Sequence, residues 1–237
     1  MTKEELMHKI KYSQTEFMRK ILLMLLFACF VSSSVMAQAL KQRGGSVEAV
    51  VPEGWIHTEA VGDMNKDGLP DMVVVATPNF KENMKEREDG YVYNLNDPQL
   101  AIYFGEPSGG FTLWKKYENL LPANSEYISV DISLSITDRG VLRIGYSTFA
   151  SMGSNEVGGP TYVYRWQNGD FFLIGKDVSS QSRYSGELIE VSENYLTFKR
   201  QEKHSGVFVD SDVKESEKWT KIPRTPLKRL GTFEMDD

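Results

Sequence analysis

Gly62-Asp63-Met64-Asn65-Lys66-Asp67-Gly68-Leu69-Pro70-Asp71-Met72-Val73-Val74-Val75 carries two signals in direct succession. Asp63, Asn65, Asp67 and Asp71 place oxygen-bearing side chains at positions 1, 3, 5 and 9 of a loop. Alternate oxygens can all turn inward when the backbone curls around an ion, and Gly68 at position 6 permits the sharp bend. The main-chain carbonyl of Leu69 supplies one further oxygen. Hard, oxygen-only ligation of this kind suits calcium better than zinc or copper. The loop then gives way to Met72-Val73-Val74-Val75, a short apolar run that predicts a strand.

The pattern departs from an EF-hand. Position 12 is Val74, where an EF-hand needs a bidentate Glu, and a strand follows in place of a second helix. Asp71 is therefore expected to close the ligand set. The whole of 62–75 resembles the FG-GAP/VCBS repeat of integrin-type β-propellers and many secreted bacterial proteins. Phe104-Gly105 and Gly109-Gly110-Phe111 resemble the Phe-Gly and Gly-Gly-Phe elements that follow in that repeat. The resemblance covers 62–111 and implies calcium bound between strands of a blade. Farther on, 131–138 lacks the alternating oxygens, and no second calcium loop is expected there.

Outward from the loop, short apolar or alternating runs predict strands at 47–51, 72–76, 100–104, 111–115, 128–136, 141–148, 162–166, 171–174, 188–191, 195–199 and 218–222. Thr137-Asp138-Arg139-Gly140 reads as a turn. Gln167-Asn168-Gly169-Asp170 carries the Asn-Gly pair that favours a type I′ hairpin. Ser192-Glu193-Asn194 reads as another turn. The charged stretch 79–89 has almost no apolar stripe and reads as a loop, and 153–159 reads as a glycine-rich flexible insert. A weak repeat relates 63–115 to 131–176, with a poorer copy at 186–222. The expected fold is all-β, an antiparallel meander of propeller-like blades forming an incomplete or small propeller; a β-sandwich is the alternative.

The first 37 residues read as an export signal. Arg19-Lys20 precede an apolar run at 21–31, small polar residues follow, and Val35 and Ala37 suit cleavage after Ala37, with Ala39 as runner-up. The run falls short of the about 20 residues a spanning helix needs. Met18 offers an alternative start, which would leave 1–17 untranslated. Cys29, within Leu26-Phe27-Ala28-Cys29, offers lipid anchoring as an alternative to a free periplasmic or secreted chain. Cys29 is the sole cysteine, so a chain cut after Ala37 has neither disulfides nor a thiol nucleophile. The remaining residues, 38–237, are expected to form one domain without a transmembrane segment. The net charge is −6, and residues 1–37 are themselves net basic, so the remainder is more acidic still. That balance argues against nucleic acid as a partner.

Catalytic signals are weak. His57 and His204 lack ligand-like spacing, and no nucleophile elbow, phosphate loop or zinc motif occurs. Tyr162, Tyr164 and Trp166 would share one face of a strand. They are either packed core or a platform for a sugar or protein partner. The resulting expectation is an exported, non-catalytic binding or structural protein with one calcium-stabilised β-repeat, engaging a protein or glycan at the cell envelope. The runner-up is a secreted polysaccharide hydrolase whose acid and base carboxylates the sequence does not identify.

Overall fold

The Met-Val-Val-Val run does form a strand, and it is apolar throughout because both of its faces are covered. The computed structural model describes residues 39–88, 90–151, 154–208, 212–233 and 235; the signal segment, Met18 and Cys29 lie outside them, as does Gly153. The first strands are β1 (Arg43–Gly44), β2 (Ile56–Gly62), β3 (Asp71–Thr77), β4 (Met84–Glu86), β5 (Val92–Asn94), β6 (Gln99–Gly105) and β7 (Phe111–Tyr117). The later ones are β8 (Ile128–Ile136), β9 (Val141–Ala150), β10 (Glu156–Gln167), β11 (Asp170–Ser182), β12 (Glu187–Asn194), β13 (Lys199–Gly206) and β14 (Ser216–Lys221). The fold is all-β and antiparallel, as the sequence predicts. Among the described residues no helix is long and apolar enough to cross a membrane.

A five-stranded sheet has the order β1-β7-β6-β3-β2, so β2, β3, β6 and β7 make a blade-like meander extended by β1. The hairpin β4-β5 is inserted between β3 and β6. A seven-stranded sheet then runs β8 to β14 in unbroken chain order. The strands that the weak repeat would divide into two further blades thus continue as one sheet.

Two cores explain the burial. Val73, Val75, Leu100 and Ile102 on one face of the first sheet pack with Leu142, Ile144, Tyr162, Tyr164, Phe171 and Leu173 of the second. The opposite face of the first sheet, with Met72, Val74, Ala76 and Tyr103, packs against Leu40, Val47, Val50 and Trp55. Consequently Met72, Val73, Val74, Val75 and Ala76 are each at most 3% exposed. The C-terminal segment closes the first core: the Leu173 N–H donates to the Lys228 carbonyl and the Leu230 N–H to Phe171, each at 2.9 Å.

Several local expectations are corrected. Residues 47–51 contain a single helical turn, α1 (Val47–Val50), closed by the Val51 N–H on the Val47 carbonyl at 2.8 Å. Val47 and Val50, three apart, share its buried face, and one turn satisfies that spacing as a strand could not. The 79–89 stretch is partly ordered as a 3-10 turn, Lys81–Asn83, and strand β4. Asn96, 2% exposed, holds it in place of apolar burial: its amide receives the Asn83 side-chain N–H at 3.1 Å and donates to the Phe80 carbonyl at 3.1 Å. Residues 192–194 belong to β12, and the expected strand at 195–199 is largely a turn. Asn194 Oδ1 accepts the N–H groups of Leu196 (3.0 Å) and Thr197 (2.9 Å), and Phe198 adopts φ +56°. The insert at 153–159 is in part the start of β10. The sequence reading also omitted β1, β2, β5 and all but the first residue of β13.

The Asn-Gly hairpin stands as expected. Asn168 and Gly169 have φ of +51° and +77°, and Gln167 pairs with Asp170, the two left-handed residues of a type I′ turn.

Candidate metal centre

The hairpin β2-β3 starts the site. Gly62 pairs with Asp71, so the acidic loop is the connection between two hydrogen-bonded strands. Lys66 at φ +67° and Gly68 at φ +86° curl it. Asx-type hydrogen bonds then tie the side chains to the loop's own amides. Asp63 Oδ1 accepts the Lys66 N–H at 2.7 Å and Oδ2 the Gly68 N–H at 3.1 Å. Asn65 Oδ1 accepts the Asp67 N–H at 3.0 Å, and Asp67 Oδ1 accepts the Leu69 N–H at 2.8 Å.

Asp71 differs from the others because it is fully buried. Its Oδ2 accepts the N–H groups of Met64 (2.8 Å) and Asn65 (3.2 Å), and its Oδ1 accepts Gly105 N–H at 3.1 Å. One carboxylate therefore joins the loop to the end of β6. Burial pushes its pKa above the ordinary aspartate value, while the three N–H groups pull against that shift. Gly105 is required at this point: a Cβ there would lie 2.3 Å from the Pro70 carbonyl oxygen. The preceding Phe104 packs against Trp114 and Trp166. The Phe-Gly pair thus combines a core anchor with a close backbone approach.

The loop is also seated against the second sheet. Lys66 Nζ donates to the Asp138 carbonyl at 3.2 Å. A Cβ on Gly140 would fall 2.4 Å from the Asp63 carbonyl oxygen, and one on Gly62 would fall 2.7 Å from Ile136 Cγ2. Met64, 2% exposed, plugs the loop into the shared core. Sequence reasoning missed Met64 and the 137–140 contact; an apolar methionine between Asp63 and Asn65 was the available signal for the former.

The donor set is suited to a hard cation. Three carboxylates, one amide and a main-chain carbonyl lie within nine residues, and among the described residues no ion pair neutralises Asp63, Asp67 or Asp71. Carboxylate oxygens that accept one N–H retain further lone pairs. In the present arrangement the side chains face the loop amides, and among the described residues no three His, Cys, Asp or Glu groups converge as metal ligands.

Of the two readings of Tyr162, Tyr164 and Trp166, packed core or partner platform, the side chains take the packed one. Tyr162 and Tyr164 are 1% and 0% exposed, and the Tyr162 hydroxyl donates to the Met235 carbonyl. Trp166 packs against Phe104, Trp114 and Phe171 with ring centroids 5.0, 5.2 and 5.0 Å away. These rings lie on the face of β10 that meets the first sheet, with both tyrosines fully buried and Trp166 partly so. His57 lies 3.8 Å from Glu59, and His204 contacts Glu187 and Glu202; the two histidines stand on different sheets.

The acidic hairpin loop, the buried strand after it and the Phe-Gly close approach define a repeat-type β blade. Residues 57–95 match the family model described as FG-GAP repeat, so the chain carries one FG-GAP-type repeat there. The match begins within β2 and runs through the loop and β3 to the end of the inserted hairpin. No curated protein and no solved structure matches the chain.

Proposed function

We propose that this is an exported, non-catalytic binding protein whose FG-GAP-type repeat is clamped by one calcium ion and which engages a protein or glycan at the cell envelope. Asp63, Asn65, Asp67, the Leu69 carbonyl and Asp71 would hold the ion. The observation that carries the reading is the set of three carboxylates without an ion-pair partner among the described residues, one of them buried, at the joint between the two sheets. A divalent cation would neutralise that charge and tie β2, β3 and the end of β6 to one point. Its role is structural, since the loop oxygens mainly accept backbone N–H groups and the side-chain contact within the loop, Asn65 Nδ2 on Asp67 Oδ2 at 2.9 Å, comes from an amide that transfers no proton. Residues 1–37 would direct export, into a compartment where exported modules take calcium at roughly 10⁻⁴–10⁻³ M.

Incubation of the calcium-loaded chain with envelope polysaccharides and envelope extract tests the binding reading. Saturable retention without turnover is expected; released reducing sugar would establish a hydrolase instead.

A further inference from the structure

The face of the seven-stranded sheet turned away from the core carries a groove of about 310 Å³. Its floor follows from strand alternation. Tyr162 and Tyr164 turn inward, so Thr161 turns outward, opposite Gly145 on β9 and Asp177 on β11. The row continues through Ser192 on β12, Gln201 on β13 and Trp219 on β14. Small residues keep the floor low. A Cβ at Gly145 would lie 2.7 Å from both Ser133 Oγ and Thr161 Oγ1, so the bare glycine lets two hydroxyls approach there.

The polar groups are held in fixed orientations. Asp177 Oδ2 receives Arg143 at 2.7 Å, and its Oδ1 receives the Ser192 hydroxyl at 2.7 Å. Beyond the groove lining, on the neighbouring edge strand β14, Glu217 Oε1 accepts both the Trp219 indole N–H at 2.6 Å and the Gln201 amide N–H at 2.8 Å. Trp219 is thereby pinned while it stays 58% exposed on a strand otherwise made of polar residues.

Charge selects among ligands. The groove is lined by Arg143 and Lys203 against Asp177 and Glu190, two of each sign. Arg143 is bound to Asp177, and Lys203 stands opposite Glu190 in register. The lining is thus balanced in charge, the further carboxylate of Glu217 beside Trp219 already accepts two N–H groups, and the lining offers no contiguous apolar patch of the kind a protein partner needs. Fixed planar donors and acceptors, hydroxyl-bearing floor residues and one exposed indole match a neutral, polyhydroxylated ligand. Paired planar side chains meet vicinal hydroxyls, and an aromatic face meets the C–H face of a pyranose ring.

The geometry points to a neutral oligosaccharide site on this outer face, with Arg143, Thr161, Asp177, Ser192 and Gln201 as hydrogen-bonding residues and Trp219 as the stacking platform. The assignment rests on the binding reading and narrows it to one ligand class and one surface. A set of neutral oligosaccharides is titrated by calorimetry into the full chain, its Trp219→Ala and Asp177→Asn variants, and an Arg200→Ala control on the opposite face of β13. Saturable binding to wild type is expected, weakened about tenfold or more by each groove variant and unchanged in the control, with circular dichroism matching throughout. Equal affinity in Trp219→Ala and Asp177→Asn would overturn the site. Absence of binding to every neutral glycan, with a protein partner captured from envelope extract, would overturn it while leaving the binding reading intact.

Discussion

Asp71 does more than its place at the end of an acidic loop suggests. It is the buried acceptor for three backbone N–H groups from two separate segments. An amide has one carbonyl oxygen where the carboxylate has two, so Asp71→Asn turns an N–H₂ toward either the loop or Gly105. A buried donor without an acceptor costs about 1–3 kcal/mol, and urea unfolding of the variant should register a loss of that order. Unchanged stability would mean that the three hydrogen bonds do not hold the loop. His204 makes the second residue-scale prediction. Its Nδ1 lies 2.9 Å from Glu187 Oε1 and its Nε2 3.2 Å from Glu202 Oε1, and these two hydrogen bonds raise the imidazole pKa above its ordinary value. A folded-state pKa above the unfolded one gives stability that is complete below the unfolded value of about 6.5 and lost as pH rises through the raised folded value. The difference in melting temperature between wild type and His204→Gln should therefore shrink as pH rises through that window. A constant difference would remove the pairing from the account.

At the scale of elements, the sequence conveyed strands wherever apolar periodicity is driven by a core. β3, β6, β7, β8 and β9 lie where alternation or apolar runs place them, because their side chains meet the two cores. It failed where polar groups hold the chain. The β4-β5 hairpin hangs on the Asn83, Asn94 and Asn96 amides, and an amide network has no periodicity to read. The β12-β13 turn hangs on Asn194 and a left-handed Phe198, whose apolar neighbours imitate a strand. In the site, the alternating oxygens were legible and the supporting contacts were not. Met64 in the core and the 137–140 turn against the loop are long-range facts of packing. One prediction belongs here. Asn96→Ala removes the hub of the hairpin but no part of either hydrophobic core, so proteolysis between residues 78 and 98 should accelerate while the melting temperature moves by only a few degrees. Unchanged cleavage would show that the hairpin is held by something else.

At the scale of the whole molecule, the acidic loop is where the two sheets meet. Lys66 reaches the β8-β9 turn, Gly62 packs on Ile136, and Met64 enters the shared core. The proposed cation at that joint would stabilise the assembled pair of sheets by mass action, since the unfolded chain does not present the curled loop. The export signal expected in residues 1–37 and the groove on the outer face of the second sheet both belong to the proposed exported binding protein. The groove lies outside the FG-GAP match at 57–95, so in the proposed reading the repeat would be the scaffold and the long meander the binding surface.

The direct measurement is thermal unfolding of chelator-treated protein with and without added calcium, alongside Asp67→Asn. With free calcium 100-fold above the dissociation constant, ligation contributes about 2.7 kcal/mol, or about 5–11 °C for a domain of this size. A rise of that order is expected in wild type and a much smaller one in Asp67→Asn. A wild-type melting temperature that calcium leaves unchanged would contradict the claim that this loop is a calcium clamp.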